Sequence, residues 1–245
     1  MMVKAKQTNL DKELQLVRNH LNREMMFNLE GLQDLIDVSM NEMDRNACPA
    51  TVLAVNRACG YRGEKGIHLA LAVELIYMAD KVHTLIRDED VMEEETQYPV
   101  LIGDFLYGKY FLTLCKEELL EYLEPLAQTI ETRSQGSIER WLTLRDRAPT
   151  KDEWMGIADQ ELASLTGTAA RLGADLAGAP VKLQEKMESM GRNLGMAWAA
   201  AKECQEAAII HDALAQVEEI MKEVSDQVQI EPLEELRDFF VRQCD

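Results

Sequence analysis

The amino-acid sequence predicts an all-α protein of about ten helices folded as a single domain. Apolar residues recur at helical spacing through almost every segment of the 245 residues, and no stretch alternates like a β-strand for long. Hydrophobic residues make up 47% of the chain, which is enough to form a sizeable core. With only 6 prolines and 13 glycines, no Pro/Gly/Ser-rich stretch could link two domains.

The predicted helices follow one another with turn signals between some of them. Asn9 or Asp11 can cap a first helix, whose apolar positions include Leu14, Val17 and Leu21. Further helical patterns cover residues 27–43, 50–58, 67–86, 100–115, 116–131, 136–145, 151–172, 180–208, 212–228 and 232–243. The turn signals lie at 59–63, 147–150 and 178–180.

The chain is strongly acidic, with 44 Asp and Glu against 26 Lys and Arg and a formal net charge of -18. Such a surface repels nucleic-acid phosphates and anionic lipid headgroups, and the sequence has no basic patch, so we expect neither partner. The longest apolar run, 195–201, is too short to span a bilayer, and the first residues lack the apolar region of a secretory signal. Five cysteines without CxxC spacing fit free thiols. We therefore expect a cytoplasmic protein without a membrane span.

Four segments carry patterns that occur together, in this order, in one known family. They are HLALAVELI with Val82-His83 (68–83), VLIGDFLYGKYF (100–111), ASL with AARLGA (163–174) and GRNLGMAW (191–198). They resemble segments of the trans-prenyl diphosphate synthases, over roughly residues 40–206. The resemblance implies an orthogonal helical bundle of the isoprenoid synthase type. It also implies one domain over residues 1–245, with a shortened C-terminal part and no loop after the second motif.

The family joins an allylic diphosphate to isopentenyl diphosphate by ionising the allylic carbon–oxygen bond. Mg²⁺ ions hold the leaving diphosphate, and two DDxxD motifs on facing helices supply their carboxylate ligands. At the first motif this sequence has Thr84, Leu85 and Asp88, with Arg87 beside the surviving carboxylate. Two of the three expected ligands are therefore missing from the first motif.

The second motif is also degenerate, because its three aspartates correspond to Lys202, Glu203 and Glu206. A lysine at a metal-ligand position opposes Mg²⁺ binding, and the spacing of Lys202 and Glu206 suggests an i, i+4 ion pair on a helix. The basic "GGKRxRP" stretch corresponds to residues 43–49 and keeps one basic residue, while the lysine of "KTA" aligns with Glu161. The resemblance thus implies no catalytic residue and no metal or cofactor in this chain.

Two features leave alternatives open. The acidic run 88–95 has enough carboxylates for a relocated Mg²⁺ site, but such a run is more often a solvated loop after a helix. His83 could act as a base, although it matches a family position beside the first motif where packing or a hydrogen bond is expected.

Some long-chain synthases of the family pair an aspartate-bearing subunit with a smaller subunit that lacks the motifs, and this chain resembles the smaller one. The expected partner is a catalytic polyprenyl diphosphate synthase subunit carrying the Mg²⁺, with a homodimer through the same helices as an alternative. The family dimerises through central helices, and the corresponding segment here has a set of candidate interface residues. They are Phe105, Leu106, Tyr107, Tyr110 and Phe111.

Chain length gives a physical reason for such a pairing. In the family, bulky side chains just before the first motif close the tunnel that holds the growing prenyl chain; the matching positions here are Ala79 and Asp80. The small Ala79 would leave a partner's tunnel open and favour long products, such as quinone side chains. Two other functions remain: an active prenyltransferase with atypical metal ligands, or a regulatory helical protein that binds a prenyl lipid.

Overall fold

Helices account for nearly all of the structure, a computed structural model that describes residues 8–25, 40–85, 94–203 and 206–244. Those residues contain no β-strand, which confirms the all-α prediction. Ten α-helical segments occur in chain order. They are α1 (Asn9–Met25), α2 (Ala47–Ala58), α3 (Glu64–His83), α4 (Glu94–Lys116), α5 (Leu123–Asp146), α6 (Lys151–Ala158), α7 (Ser164–Leu176), α8 (Val181–Glu203), α9 (Ala207–Val224) and α10 (Ile230–Cys244).

The centre of the bundle is α3, whose residues are buried on nearly every side from Gly66 to Val82. A helix that is apolar all round can be stable only inside a larger packing unit. Here α2, α4 and α7 surround α3, while α8 packs against α7 on one side and α9 on the other. The two halves of the degenerate site, at the C-terminal ends of α3 and α8, are thereby brought to one end of the bundle.

Glycines allow a close contact between α7 and α8. A Cβ atom at Gly195 would lie 2.2 Å from Thr166 Oγ1 and 2.6 Å from Ala163 Cα, and one at Gly191 would lie 2.4 Å from the Thr166 carbonyl oxygen. These distances are far below van der Waals contact, so α8 can approach α7 only where it has no side chain.

Two predicted boundaries were wrong, and one predicted helix lies almost entirely outside the described residues. The patterns at 116–131 and 136–145 form one helix, α5, which begins after a short 3₁₀ turn at Leu120–Tyr122. The break expected near Gly136 does not occur because this glycine packs against the side chain of Gln160. The helix predicted at 180–208 ends at Glu203, and α9 begins at Ala207. The helix predicted at 27–43 falls mostly on residues outside the described ranges.

A π-helical turn at Asp159–Ala163 joins α6 and α7 into one continuous helix. Such turns are rare and frequently occur at functional sites. This turn faces α5 and α8 and carries Glu161, the residue at the family's lysine position. None of the helices within the described ranges is long and apolar enough to cross a membrane.

Candidate functional site

A cavity of about 230 Å³ opens where the ends of α3 and α8 meet α5 and the π-helical turn. Ten of its eleven lining residues carry a polar or charged group, and they include residues of both predicted motifs. The lining residues are Tyr77, Asp80, Lys81, Thr84, Arg133, Ser137, Arg140, Glu161, Leu162, Lys202 and Glu203. Four cations and three carboxylates therefore share a small space, and their pairing determines what the cavity can bind.

The first ion pair joins Lys202 to Asp44, a carboxylate whose side chain is only 4% exposed. Asp44 also accepts a 2.5 Å hydrogen bond from the Tyr77 hydroxyl and another from the backbone N–H of Asn41. Burial favours the neutral acid, but the bonds from Lys202 and Tyr77 hold the pKa of Asp44 below its ordinary value. Lys202 also lies 5.5 Å from the centre of the Trp198 ring. Lys202, at the first position of the second predicted motif, is thus bound to a carboxylate of the protein itself.

The second ion pair joins the buried Arg133 of α5 to Asp80 of α3. Arg133 also donates to the carbonyl oxygen of Glu161, and its guanidinium lies 5.7 Å from the centre of the Tyr77 ring. Asp80 accepts a further hydrogen bond from the Tyr107 hydroxyl of α4. Burial lowers the pKa of Arg133, but Asp80 outweighs this effect and raises it above the ordinary value. The Arg133–Asp80 ion pair and the hydrogen bond from Tyr107 therefore join α3, α4 and α5 beside the cavity.

The third ion pair closes the opposite wall through Arg140. Its Nε lies 2.8 Å and 3.0 Å from the two carboxylate oxygens of Glu161, and its two terminal nitrogens each lie 3.0 Å from an oxygen of Glu203. The indole of Trp154 donates a 2.9 Å hydrogen bond to the same Glu203 carboxylate. Such a forked contact is strong and holds both partners in a fixed geometry. The carboxylate at the second position of the second motif is consequently bonded by protein donors.

The donor set does not fit Mg²⁺. Magnesium requires hard oxygen ligands, and an ammonium or guanidinium group beside a carboxylate competes for the same charge. Asp44, Asp80, Glu161 and Glu203 are each bonded to a cation of the protein. Among the described residues, no group of three His, Cys, Asp or Glu side chains could hold a metal ion.

Of the described residues of the first motif, only Thr84 lines the cavity. Thr84 follows the end of α3, where its hydroxyl donates a 2.7 Å hydrogen bond to the Lys81 carbonyl oxygen. Leu85 is the last described residue of this segment, and Asp88 and most of the acidic run 88–95 lie outside the described residues. The Glu206 carboxylate lies 2.9 Å from Lys151 Nζ.

The expected ion pair between Lys202 and Glu206 was wrong. An i, i+4 pair requires a continuous helix, and α8 ends at Glu203. Lys202 bonds Asp44 instead, and Glu206 precedes the first turn of α9.

His83 packs against α4, as its position beside the first motif suggested. Its ring lies 5.9 Å from the Tyr107 ring, and its Nε2 lies 3.4 Å from the Val100 carbonyl oxygen and 3.6 Å from a carboxylate oxygen of Asp104. The imidazole occupies the space next to Gly103, where a Cβ atom would lie 2.0 Å from Nε2.

The two chain-length positions differ in their surroundings. Ala79 is completely buried, within the core of the bundle. The neighbouring Asp80 points into the cavity and is bonded to Arg133 and Tyr107. A charged, hydrogen-bonded group therefore lies at the inner end of this chain's own cavity.

The candidate interface residues of α4 divide between the core and the surface. Leu106 and Tyr110 are buried, Tyr107 is half-buried, and Phe105 packs against the edge of the core. Phe111 is 44% exposed. The same helix also exposes Leu101 (64%) and Leu112 (46%), and neither residue was among the sequence candidates. With Gly108, where an added Cβ atom would meet open space, these residues form an apolar stripe, here called the α4 face.

The sequence did not indicate that Arg133 and Arg140 belong to the site. They are seven residues apart and therefore lie on one face of a helix. Their shared face could not be predicted because the sequence suggested two helices, 116–131 and 136–145, and neither contains both arginines. Tyr77 was not considered either, although it lies seven residues before Thr84 on the same helical face.

Comparison with known proteins supports this fold and shows which proteins the chain resembles in sequence. No family model matches the chain. Octaprenyl diphosphate synthase of Escherichia coli (strain K12) is 25% identical over 159 residues, which cover 61% of this chain and 49% of that protein. A match therefore spans only about half the length of this curated relative.

Solved structures match nearly the whole chain. A decaprenyl diphosphate synthase from Rhodobacter capsulatus superposes with a TM-score of 0.67 and 19% identity, over 94% of this chain and 96% of that chain. A geranyl diphosphate synthase small subunit from Antirrhinum majus gives a TM-score of 0.72 and 14% identity, over 95% and 99%. At these identities the structures show the shared isoprenoid synthase fold. The chain therefore has the isoprenoid synthase fold, and it is similar in sequence to polyprenyl diphosphate synthases over 61% of its length.

Proposed function

We propose that this chain is a non-catalytic subunit of a heteromeric trans-polyprenyl diphosphate synthase. In this proposal it supports the activity and the product chain length of an aspartate-bearing partner, in the biosynthesis of isoprenoid quinone side chains. The partner carries the Mg²⁺ ions and performs the ionisation. The observation that carries the proposal is that three cations at the predicted motifs are paired with carboxylates of the protein: Lys202 with Asp44, Arg133 with Asp80 and Arg140 with Glu203.

The chemistry of the cavity argues against independent catalysis. An active prenyltransferase must place several divalent cations against a diphosphate, whereas the carboxylates of this site are already paired with arginine and lysine side chains. Binding Mg²⁺ at Glu203 would require Arg140 and Trp154 to give up their bonds to that carboxylate. Breaking such charge-assisted pairs is costly in a partly buried site.

The same cavity argues against storage of a prenyl lipid. An apolar chain needs a dry, apolar channel, and ten of the eleven residues that line this cavity carry a polar or charged group. The cavity also holds the buried Arg133–Asp80 pair, which an apolar chain could not satisfy. This cavity is therefore a poor site for a prenyl chain.

The α4 face supplies a surface for the partner. Leu101, Phe111 and Leu112 are exposed on one helix without any covering element in the described part of the chain. Aromatic and aliphatic side chains of this kind form the buried centre of stable interfaces. The relative from Antirrhinum majus is a small subunit by name, and by analogy the α4 face of this chain contacts a catalytic subunit.

The direct test is a prenyl transfer assay with farnesyl diphosphate, labelled isopentenyl diphosphate and Mg²⁺. The chain is assayed alone and then mixed with the aspartate-bearing subunit of the same organism. We expect no product from the chain alone and long-chain product in the mixture. Turnover by the chain alone would support an active enzyme with atypical metal ligands. Absence of product in both assays would support a lipid-binding or regulatory protein.

A matched pair of variants tests the α4 face. Leu101→Asp places a charge on the α4 face, and Val181→Asp places one on an equally exposed apolar residue at the start of α8. We expect the first variant to lose most stimulation of the partner and the second to keep it. Equal stimulation by both variants would exclude the α4 face from the contact.

Product length tests the role of the chain-length positions. Enlarging Ala79 to leucine should shorten the product of the mixed enzyme if this subunit keeps the partner's channel open. Because Ala79 is fully buried, the exposed Phe111→Trp variant serves as a second, structurally mild enlargement at the interface. Products of unchanged length from both variants, with stimulation retained, would contradict the chain-length role.

A further inference from the structure

A second cavity, of about 560 Å³, lies between α1, α3 and the residues that precede α2. Among the described residues, its lining shares no member with the cavity at the predicted motifs. Its volume is within the range of small-molecule binding sites. The large apolar side chains of the lining are Leu14, Val17, Leu21, Met25, Met40 and Met78. Because three of them are methionines, which are flexible and polarizable, the wall can adapt to an aliphatic ligand.

The most buried polar side chain of this lining is Glu74, which is 1% exposed. Neither of its carboxyl oxygens has a hydrogen-bond partner among the described residues. Burial, followed by the nearby Asp44, raises the pKa of Glu74 well above its ordinary value, so the group is a neutral acid at physiological pH. A buried polar group without a partner is costly, and a protonated carboxyl carries an O–H donor. Glu74 can therefore donate a hydrogen bond to a molecule in the cavity.

The charged residues of the lining favour an anionic head group. Arg18 and Arg45 both line the cavity, and both act to lower the pKa of Glu74 against the effect of burial. The side chain of Glu42, which also lines the cavity, is 74% exposed and lies 3.9 Å from Arg18. With Glu74 neutral, the described lining thus has two positive charges and one negative charge. Both arginines would repel an ammonium group in the cavity, whereas they would attract a carboxylate.

We propose that this cavity binds an aliphatic monocarboxylate. The ligand carboxylate accepts a hydrogen bond from the Glu74 O–H in the field of Arg18 and Arg45, and its alkyl chain packs against the leucines and methionines of the wall. A diphosphate head group suits the site less well, because its several negative charges exceed the single net positive charge of the lining. The proposal does not depend on the function proposed above, since the two cavities have separate linings.

Isothermal titration calorimetry of the full chain with decanoate at neutral pH tests this site. We expect saturable binding, with an affinity that rises about fourfold for each added methylene from hexanoate to decanoate. Decylamine, which has the same alkyl chain and a cationic head, should bind about tenfold more weakly or worse. Glu74→Leu removes the O–H donor and should weaken decanoate binding by about tenfold or more. Glu74→Gln keeps a neutral donor and should stay within about threefold of the wild type.

A matched pair of variants on α1 tests the position of the ligand. Leu21→Trp places a larger side chain in the lining and should abolish decanoate binding. Leu16→Trp lies on the same helix but outside this lining, so it should bind decanoate like the wild type. Urea unfolding of each variant checks that a loss of binding is not a loss of the fold.

Several results would overturn the proposal. They are absence of decanoate binding to the wild type, equal affinity for decylamine, or decanoate binding that is unchanged in Glu74→Leu or Leu21→Trp. Displacement of decanoate by inorganic diphosphate would assign the cavity to a phosphate ligand and would also contradict the proposal. These titrations use the chain without a catalytic subunit, so their failure is distinct from a failure of the proposed function.

Discussion

Replacing Lys202 by methionine tests whether the first ion pair stabilises the fold. Methionine keeps most of the apolar stem but removes the cation from Asp44, whose side chain is 4% exposed. Removing one partner of a fully buried pair costs about 3–5 kcal/mol. Lys202 is 25% exposed, so water already reaches its ammonium group, and Asp44 keeps its bonds from Tyr77 and Asn41. We therefore expect a loss of about 2–3 kcal/mol in the free energy of unfolding.

The assay is urea unfolding at neutral pH, followed by tryptophan fluorescence. The control is Lys186→Met on the same helix, which breaks an ion pair with Glu223 that is about half exposed and should cost less than about 0.5 kcal/mol. In an Asp44→Asn background, Lys202→Met should cost much less, giving a coupling of about 2 kcal/mol.

The loss should also depend on pH. The folded-state pKa of Asp44 is lowered, so its stabilising contribution is present above the unfolded pKa of about 3.9 and is lost as the pH falls through the folded value. The difference between Lys202→Met and the wild type should therefore shrink below about pH 4. A loss below about 1 kcal/mol at neutral pH, or one equal to that of Lys186→Met, would refute the reasoning.

Two other variants test the packing and a buried acid. Gly195→Ala should lose about 2–3 kcal/mol or more, because its Cβ would overlap Thr166 and Ala163 of the neighbouring helix. Gly156→Ala, which meets open space, should be neutral or slightly stabilising in the same thermal or urea unfolding. Glu74 is buried and has no hydrogen-bond partner among the described residues, and burial, followed by the nearby Asp44, raises its pKa. Glu74 stays neutral in the folded protein at pH values where it ionises in the unfolded chain, so the free energy of unfolding of the wild type should fall as the pH rises above about 4.3. Glu74→Gln should reduce this pH dependence by up to about 1.4 kcal/mol per pH unit. An unchanged slope between pH 5 and 7, measured by urea unfolding, would contradict the burial argument for Glu74.

Much of the fold could be predicted from the sequence because helical periodicity and family-like segments are local signals. The limits of α5 could not, because a glycine inside a helix and a glycine that ends a helix look alike in sequence. Gly136 lies against Gln160, and this tertiary contact explains why a glycine occurs inside a continuous helix. The π-helical turn at Asp159–Ala163 had no sequence signal at all.

The contacts of the predicted motif residues could not be predicted from the sequence. Lys202 and Asp44 are 158 positions apart, so no local pattern connects them. The sequence instead suggested a local partner for Lys202, which the end of α8 at Glu203 makes impossible. Local spacing is informative only where the helix is known to continue through both residues.

The internal pairing of the cavity has a consequence for how much folded protein a cell contains. A protein that needs a ligand to neutralise its site gains stability in proportion to the logarithm of ligand concentration, so its folded fraction varies with the supply of that ligand. In this chain, Lys202, Arg133 and Arg140 are built into the polypeptide and neutralise the carboxylates permanently. Its folded population should therefore stay constant when magnesium becomes scarce.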